Sequence, residues 1–355
     1  MNRAIPKGLS IYLDFVRLAA AIVVFLSHLW PLVFPSTPLP WPGHLAVVVF
    51  FVLSGYVISH AARPELGLRG YAVHRLARIY PVLIAAALLS LVIAAYTPVN
   101  IGNYGSSRGS DWFDITLNMA FLGQSWMDVP MPYVGTVWSL DYEVWYYILF
   151  AIWTYHRSWV LLACAALVAG PKILLLLPVW LLGVALHRST IVIKRKYAIW
   201  LFGLSSITGI AFWWFSIGTG IREAMRPLSP GLIVFAEGSN QFVGDFIFGL
   251  IVMLNFKAAG SLRMELLLKM QSVIRYLSSF TFSLYIFHLP LAVLIWNGFQ
   301  VHSAFAFFTL LIAGVWLLGM LTEQQSKWYR SILSRFMLRK KAKESLLRER
   351  DPSLV

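Results

Sequence analysis

Long apolar stretches recur from one end of this sequence to the other, and that recurrence constrains the fold more than any motif does. A helix rising about 1.5 Å per residue needs roughly 20 apolar residues to cross a hydrocarbon core of about 30 Å, where only helices and closed barrels satisfy their backbone polar groups. Such stretches fall near 11–33, 43–60, 80–97, 136–154, 158–170, 172–187, 197–217, 236–255, 277–297 and 303–321, the fifth and sixth being the shortest. The expectation is an all-α integral membrane protein with about ten transmembrane helices. Composition agrees: of 355 residues, 59% are hydrophobic and 12% charged, with a mean hydropathy of +0.72, which excludes a soluble multidomain chain.

Positive charge orients the helices, because cytosolic flanks hold the excess of Lys and Arg. With the N-terminus inside, only Arg108, Lys172, Arg222 and Arg226 of the 29 Lys and Arg fall on the outer side, and Arg17 lies within the membrane. Both termini are therefore expected to be cytoplasmic. This topology accounts for the net charge of +14 without any nucleic acid partner. Residues 1–325 read as one transmembrane domain, and the basic tail 326–355 either rests on anionic membrane lipid or is solvated. The first stretch has no small-residue cleavage site and is expected to be a retained span rather than a signal peptide. The single cysteine, Cys164, allows no intrachain disulfide and is expected to fill core space.

Against this background the ionisable residues stand out. Arg17 and His28 share the first stretch eleven positions apart, about three helical turns or 16 Å along one stripe. Buried groups of this kind mark a pathway or a reaction site. The alternative is an Asp14–Arg17 pair at the cytosolic end, with His28 reaching for the headgroups. In the second stretch, Ser54 and Gly55 interrupt a run of large side chains, as close helix packing requires. Arg75 and Arg78 lie three apart at the inner border, where they form either a bidentate phosphate clamp or ordinary inside-positive anchors.

The fourth stretch carries Trp138, Ser139, Asp141, Glu143 and Tyr147. A spacing of two puts Asp141 and Glu143 on different faces, so at most one looks into the bundle. Glu143 is expected to, because it sits deeper and Tyr147 follows it by one turn; an aromatic belt with a solvated acid is the other reading. The ninth stretch runs outward through Tyr285 and His288, so His28, Glu143 and His288 all fall in the outer half of the membrane. The longest outer segment, 98–133, sets Gly, Ser, Asn, Trp and Asp around an apolar run at 115–122, the pattern of a loop with a re-entrant or interfacial helix. Its Trp112, Trp126 and Tyr133 suit a sugar face or an interface anchor equally.

Taken in order, Arg17-X10-His28, Phe-Phe-Val-Leu-Ser-Gly-Tyr at 50–56, Arg75-Leu-Ala-Arg-Ile-Tyr-Pro81, Trp138-Ser-Leu-Asp-Tyr-Glu143 and Ser283-Leu-Tyr-Ile-Phe-His288 resemble the membrane acyltransferase family 3. The resemblance implies a multi-pass enzyme, of a bacterial inner membrane, that moves an acyl group, commonly acetyl, to a hydroxyl of an extracytoplasmic glycan or lipid-linked sugar. It implies acetyl-CoA or another acyl-CoA as cytosolic donor, with no metal or prosthetic group. It also implies His28 as the catalytic histidine, with Glu143 beside it as an acidic motif residue, and Arg17, Arg75 and Arg78 as donor-site residues. Some relatives carry an esterase-like domain after the last helix, and any such step is expected to be missing here or to belong to another protein.

The chemistry is simple to state. A thioester is already activated, so a sugar hydroxyl needs a positioned base and a stabiliser for the oxyanion. Histidine suits the first role, with its second ring nitrogen fixed by a neighbour such as Glu143 or Ser27. The CoA phosphates should stay at the inner face against Arg75 and Arg78 while the pantetheine arm follows a polar tunnel from Arg17 toward His28. Trp138, Ser139, Asp141, Tyr147, Tyr285 and His288 are the remaining candidates to line or support that path. The competing class is a non-enzymatic glycan or lipid transporter or flippase, whose intramembrane charges would line a pathway without performing chemistry.

Overall fold

The computed structural model describes residues 5–37, 39–96 and 110–335, and all its regular elements are helical, with no strand among the described residues. The chain runs through α1 (Lys7–Val33), α2 (Gly43–Ala61), α3 (Gly67–Tyr96), α4 (Asp111–Met119), α5 (Val137–Ala151), α6 (Trp159–Ala169), α7 (Pro171–Arg188) and α8 (Arg195–Trp214). It continues with α9 (Ile217–Met225), α10 (Pro230–Ala236), α11 (Phe242–Ala259), α12 (Glu265–Lys269), α13 (Gln271–Ser278), α14 (Thr281–Val293) and α15 (Ala304–Leu321). Among the described residues, eight helices are long and apolar enough to cross a membrane: α1, α2, α3, α7, α8, α11, α14 with its π turn to Gly298, and α15 with its helical continuation to Arg335. These match eight of the ten stretches read from hydropathy.

The other two expected spans, 136–154 and 158–170, correspond to α5 and α6. α5 is extended by a π turn, Ile152–His156, which ends where Arg157 takes a left-handed φ of 53°. α6 has 11 residues, about 16 Å of helix, and a turn at Gly170 hands it directly to α7. The third expected span begins much earlier than hydropathy indicates. α3 is continuous from Gly67 for 30 residues, about 45 Å, so Arg75 and Arg78 ride on the same rigid element as the apolar stretch. The tail beyond 335 and residues 97–109 of the long outer segment lie outside the described residues.

The helices are apolar nearly all round, as elements with protein on one side and lipid on the other must be. α2 is the most enclosed of the early helices, and its tightest neighbour is α7. The two meet backbone to backbone. A Cβ added at Gly55 would strike the Trp180 carbonyl, and one at Gly183 would strike the Val52 carbonyl and, at 2.6 Å, the Tyr56 nitrogen. Gly55 thus takes the packing role that small residues suit, which frees Ser54 on the neighbouring face for other work. Cys164 corrects an expectation: it is exposed on α6 rather than buried in the core.

Residues 110–136 fold back onto the bundle. α4 leads into a turn held by Asn118, whose amide donates to the Asp114 and Val129 carbonyls at 2.8 and 2.9 Å. The Tyr80 hydroxyl and the Trp145 indole donate to the Met119 and Phe121 carbonyls, tying the turn to α3 and α5. Trp112 and Trp126 remain exposed, but Tyr133 is 2% exposed, so it packs inside and offers no sugar-binding face.

Candidate active site

Helices α1, α2, α3, α5 and α14 enclose a cavity of about 910 Å³, its open mouth included. Three guanidiniums line it, Arg17 from α1 and Arg75 and Arg78 from α3, against one carboxylate, Glu143 from α5. Ser54, Ser139, Tyr147 and Tyr285 add hydroxyls to walls otherwise built from Phe50, Phe51, Ile79 and similar apolar side chains. Residues from five separate sequence motifs therefore converge on one space.

The two readings of Arg17 prove compatible. It approaches Asp14 at 3.4 Å, one turn earlier on α1, and still lines the cavity. The charges that act on it come from Arg78, Asp14, Glu323 and Glu143. Arg75 lies over the rings of Tyr71 and Tyr147, 5.9 Å from each centroid, and its buried Nε has no hydrogen-bond partner among the described residues. A guanidinium nitrogen left unsatisfied beside a cavity is expensive unless a ligand completes it.

Glu143 sits at the end of a directed chain. The Trp180 indole donates to Ser54 Oγ at 3.2 Å, and Ser54 Oγ and Tyr147 Oη are 3.2 Å apart. Tyr147 in turn donates to the Glu143 carboxylate. An ionised carboxylate only accepts, so Tyr147 must spend its proton on Glu143, and Ser54 must therefore donate to Tyr147. The chain fixes the Glu143 side chain at the cavity wall. Asp141 goes elsewhere, as the helical spacing requires: it is fully buried, and its Oδ2 accepts the Gln124 backbone N–H at 3.1 Å. It anchors the 120–129 turn instead of facing the cavity. Trp138 packs edge-on against Tyr142 and beside Gly238, outside the cavity lining.

The histidines meet. His28 Nδ1 lies 2.8 Å from His288 Nε2, joining residues 260 positions apart in sequence. The Nδ1 partner is thus His288, not Glu143 or Ser27; the Ser27 hydroxyl donates to the Val24 carbonyl at 2.7 Å. His288 is fully buried, with its Nδ1 2.8 Å from the Leu284 carbonyl. Its ring packs against Phe25 and Tyr285, at centroid separations of 6.0 and 6.5 Å.

Tyr285 connects the two halves of the site. It lines the cavity, packs on His288, and its hydroxyl is 2.6 Å from Ser139 Oγ. The polar tunnel expected from Arg17 to His28 is therefore a cavity whose lining reaches Ser139 and Tyr285, with the histidine pair next to that end and outside the lining. One participant escaped the sequence reading. Glu323, just after α15, accepts the Ser283 N–H and hydroxyl at 2.9 and 2.8 Å, and its charge bears on Arg78 and Arg17. Among the described residues, no group of three or more His, Cys, Asp or Glu side chains could hold a metal ion.

The site is thus a cationic cavity within a helical bundle, with a pair of imidazoles beside one end of it. The acyltransferase-domain family matches residues 10–323, and the chain belongs to that family. The acyltransferase MdmB of Streptomyces mycarofaciens is 32% identical over 114 residues, 31% of this chain and 28% of that protein. The O-acetyl transferase of Shigella phage Sf6 is 26% identical over 156 residues, 40% of this chain and 45% of that protein. The chain thus spans less than half the length of either relative. No solved structure matches it.

Proposed function

We propose that the protein is an O-acyltransferase of a bacterial inner membrane that takes an acyl group, acetyl in the simplest case, from cytosolic acyl-CoA. The acceptor is a hydroxyl of an extracytoplasmic or lipid-linked glycan. On this reading ten spans leave both termini in the cytoplasm. The observation that carries the proposal is the cavity lined by three guanidiniums and one carboxylate, ending at a tyrosine that packs on the His28–His288 pair. That charge balance fits an anionic donor, and guanidiniums present the paired donors that phosphate oxygens accept. The nucleotide end of CoA stays at the inner face, and only the thin pantetheine arm enters.

His28 is the proposed base. It removes the proton of the acceptor hydroxyl as that oxygen attacks the thioester carbonyl, and it returns the proton to the departing CoA sulfur when the tetrahedral adduct collapses. One ester forms, one thioester breaks, and the products are acylated sugar and free CoA thiol. Glu143 holds the Tyr147 hydroxyl and balances the guanidinium charge at the donor end. The name of the phage relative, an O-acetyl transferase, supports hydroxyl as the acceptor class.

The test uses purified protein in detergent. Acyl-CoA should raise its melting temperature, and with the proper acceptor it should release CoA thiol. His28→Ala should insert and bind acyl-CoA normally yet release thiol at least about 10²-fold more slowly. A well-folded His28→Ala protein with full activity would remove His28 from the reaction. A plain glycan carrier would neither be stabilised by acyl-CoA nor release CoA.

A further inference from the structure

We infer that His288 is the positioning residue that sets the tautomer of His28, a role that deepens the proposed function and rests on it only for the consequence to rate. The argument starts from hydrogen-bond directions. The Leu284 carbonyl can only accept, so at 2.8 Å the His288 Nδ1 must carry the hydrogen. In a neutral imidazole the other nitrogen then has only a lone pair, so His288 Nε2 is an acceptor. The hydrogen in the 2.8 Å contact between the rings therefore belongs to His28 Nδ1. That assigns the lone pair of neutral His28 to its Nε2.

Ring geometry supports a true bond. The two planes differ by only 9° with centroids 5.1 Å apart, which is the N···N contact plus one ring radius on each side. The imidazoles thus lie nearly in one plane, edge to edge, and the Nε2 lone pair of His288 points along the contact. The opposite assignment would aim the His288 Nδ1 lone pair at the Leu284 oxygen, acceptor against acceptor. Protonating both His288 nitrogens would place a cation on a fully buried ring packed against Phe25 and Tyr285.

The consequence is specific. A free histidine side chain prefers hydrogen on Nε2, the reverse of what this arrangement imposes. His288 inverts that preference, so that His28 presents an unprotonated Nε2 to the acceptor hydroxyl before any substrate arrives. A base held in the wrong tautomer is as poor as a missing one, because the proton has nowhere to go. The backbone of α14 supplies the reference for the whole relay, since the Leu284 carbonyl is fixed by the helix itself.

Nitrogen-15 NMR of histidine-labelled protein in lipid nanodiscs reads the tautomer directly, with the His28 signals assigned by their loss in His28→Ala. The expected result is a neutral His28 bearing hydrogen on Nδ1. In His288→Leu, which removes the acceptor, His28 should shift to the Nε2–H form and kcat should fall about 10²–10⁴-fold with little change in KM for acyl-CoA. His288→Gln keeps a carbonyl acceptor near the old Nε2 position, so it should restore the Nδ1–H form and a large part of kcat. An Nε2–H form of His28 in the unaltered protein overturns the proposal, whether or not the leucine variant folds. So does an unchanged tautomer in His288→Leu. A correct tautomer in a protein whose His28→Ala variant stays active would instead overturn the base assignment and leave the relay standing.

Discussion

The hydroxyls of Ser139 and Tyr285 are 2.6 Å apart, and this contact joins α5 to α14 at the end of the cavity nearest the histidine pair. A buried hydrogen bond of this kind contributes about 0.5–1.5 kcal/mol net. Ser139→Ala and Tyr285→Phe should each lower stability by about that amount, while the double variant should lose little more than either single one. Unfolding in a denaturant series measures the cycle, and simple additivity would mean that the two hydroxyls do not support each other. The same contact stands between cavity and imidazoles, so a larger side chain there should obstruct the thioester. Tyr285→Trp should slow thiol release while acyl-CoA still raises the melting temperature.

The α2–α7 crossing predicts a purely structural failure. With Gly55 against the Trp180 carbonyl and Gly183 against the Val52 carbonyl, a methyl group at either position meets backbone, which cannot swing aside as a side chain can. Gly55→Ala and Gly183→Ala should each destabilise the protein by about 1–3 kcal/mol or more, the range for forced overpacking. Because Ser54 stands next to Gly55 and faces the cavity, donor binding should weaken alongside stability. A Gly55→Ala protein with an unchanged melting temperature would contradict the contact.

Much of this fold was legible because hydropathy is a local property, whereas the partners within the site are not. Eight of the ten apolar stretches became helices long enough to span a membrane, and the helical spacing correctly sent Asp141 and Glu143 in different directions. Where a helix is uniformly apolar, no periodicity separates its lipid face from its core face, so the sequence around Cys164 on α6 does not reveal that this side chain is exposed. The early start of α3 was hidden because its first turns, with Arg69, His74, Arg75 and Arg78, are too polar to register as a span. Tyr133 looked available in a polar loop, but a φ of 60° belongs to a turn that tucks its ring inside. The His28–His288 bond and the Glu323–Ser283 contacts bridge 260 and 40 residues, distances over which a single sequence carries no pairing signal.

The chain from Trp180 through Ser54 and Tyr147 to Glu143 separates charge from geometry. Glu143→Gln keeps size and hydrogen-bonding capacity but removes the cavity's one lining carboxylate, leaving three guanidiniums unopposed. Acyl-CoA should then bind at least as tightly as before, while turnover slows by about 10²-fold if the carboxylate serves the reaction. Tyr147→Phe should act differently, taking a hydrogen bond from a half-buried carboxylate and from a buried serine hydroxyl at a cost of about 1–3 kcal/mol in stability. Calorimetric titration with acyl-CoA separates the two cases, and weaker donor binding by Glu143→Gln would rule out charge balance as its role.

The arginines give the sharpest test of the donor site, because the part of CoA they should hold can be removed chemically. Arg75 Nε is buried at the cavity without a hydrogen-bond partner among the described residues, and Arg78 lines the same space one turn further along α3. A charge-assisted hydrogen bond to phosphate is worth about 1.5–3 kcal/mol, and each 1.4 kcal/mol is about tenfold in affinity. Arg75→Ala and Arg78→Ala should each weaken acetyl-CoA binding by about ten- to a hundredfold, with rising salt narrowing the difference. Binding of S-acetylpantetheine, which lacks the nucleotide phosphates, should respond to neither substitution. If both donors lose affinity equally, the arginines support the cavity wall rather than the phosphates; if acetyl-CoA affinity is unchanged, the donor does not bind in this cavity.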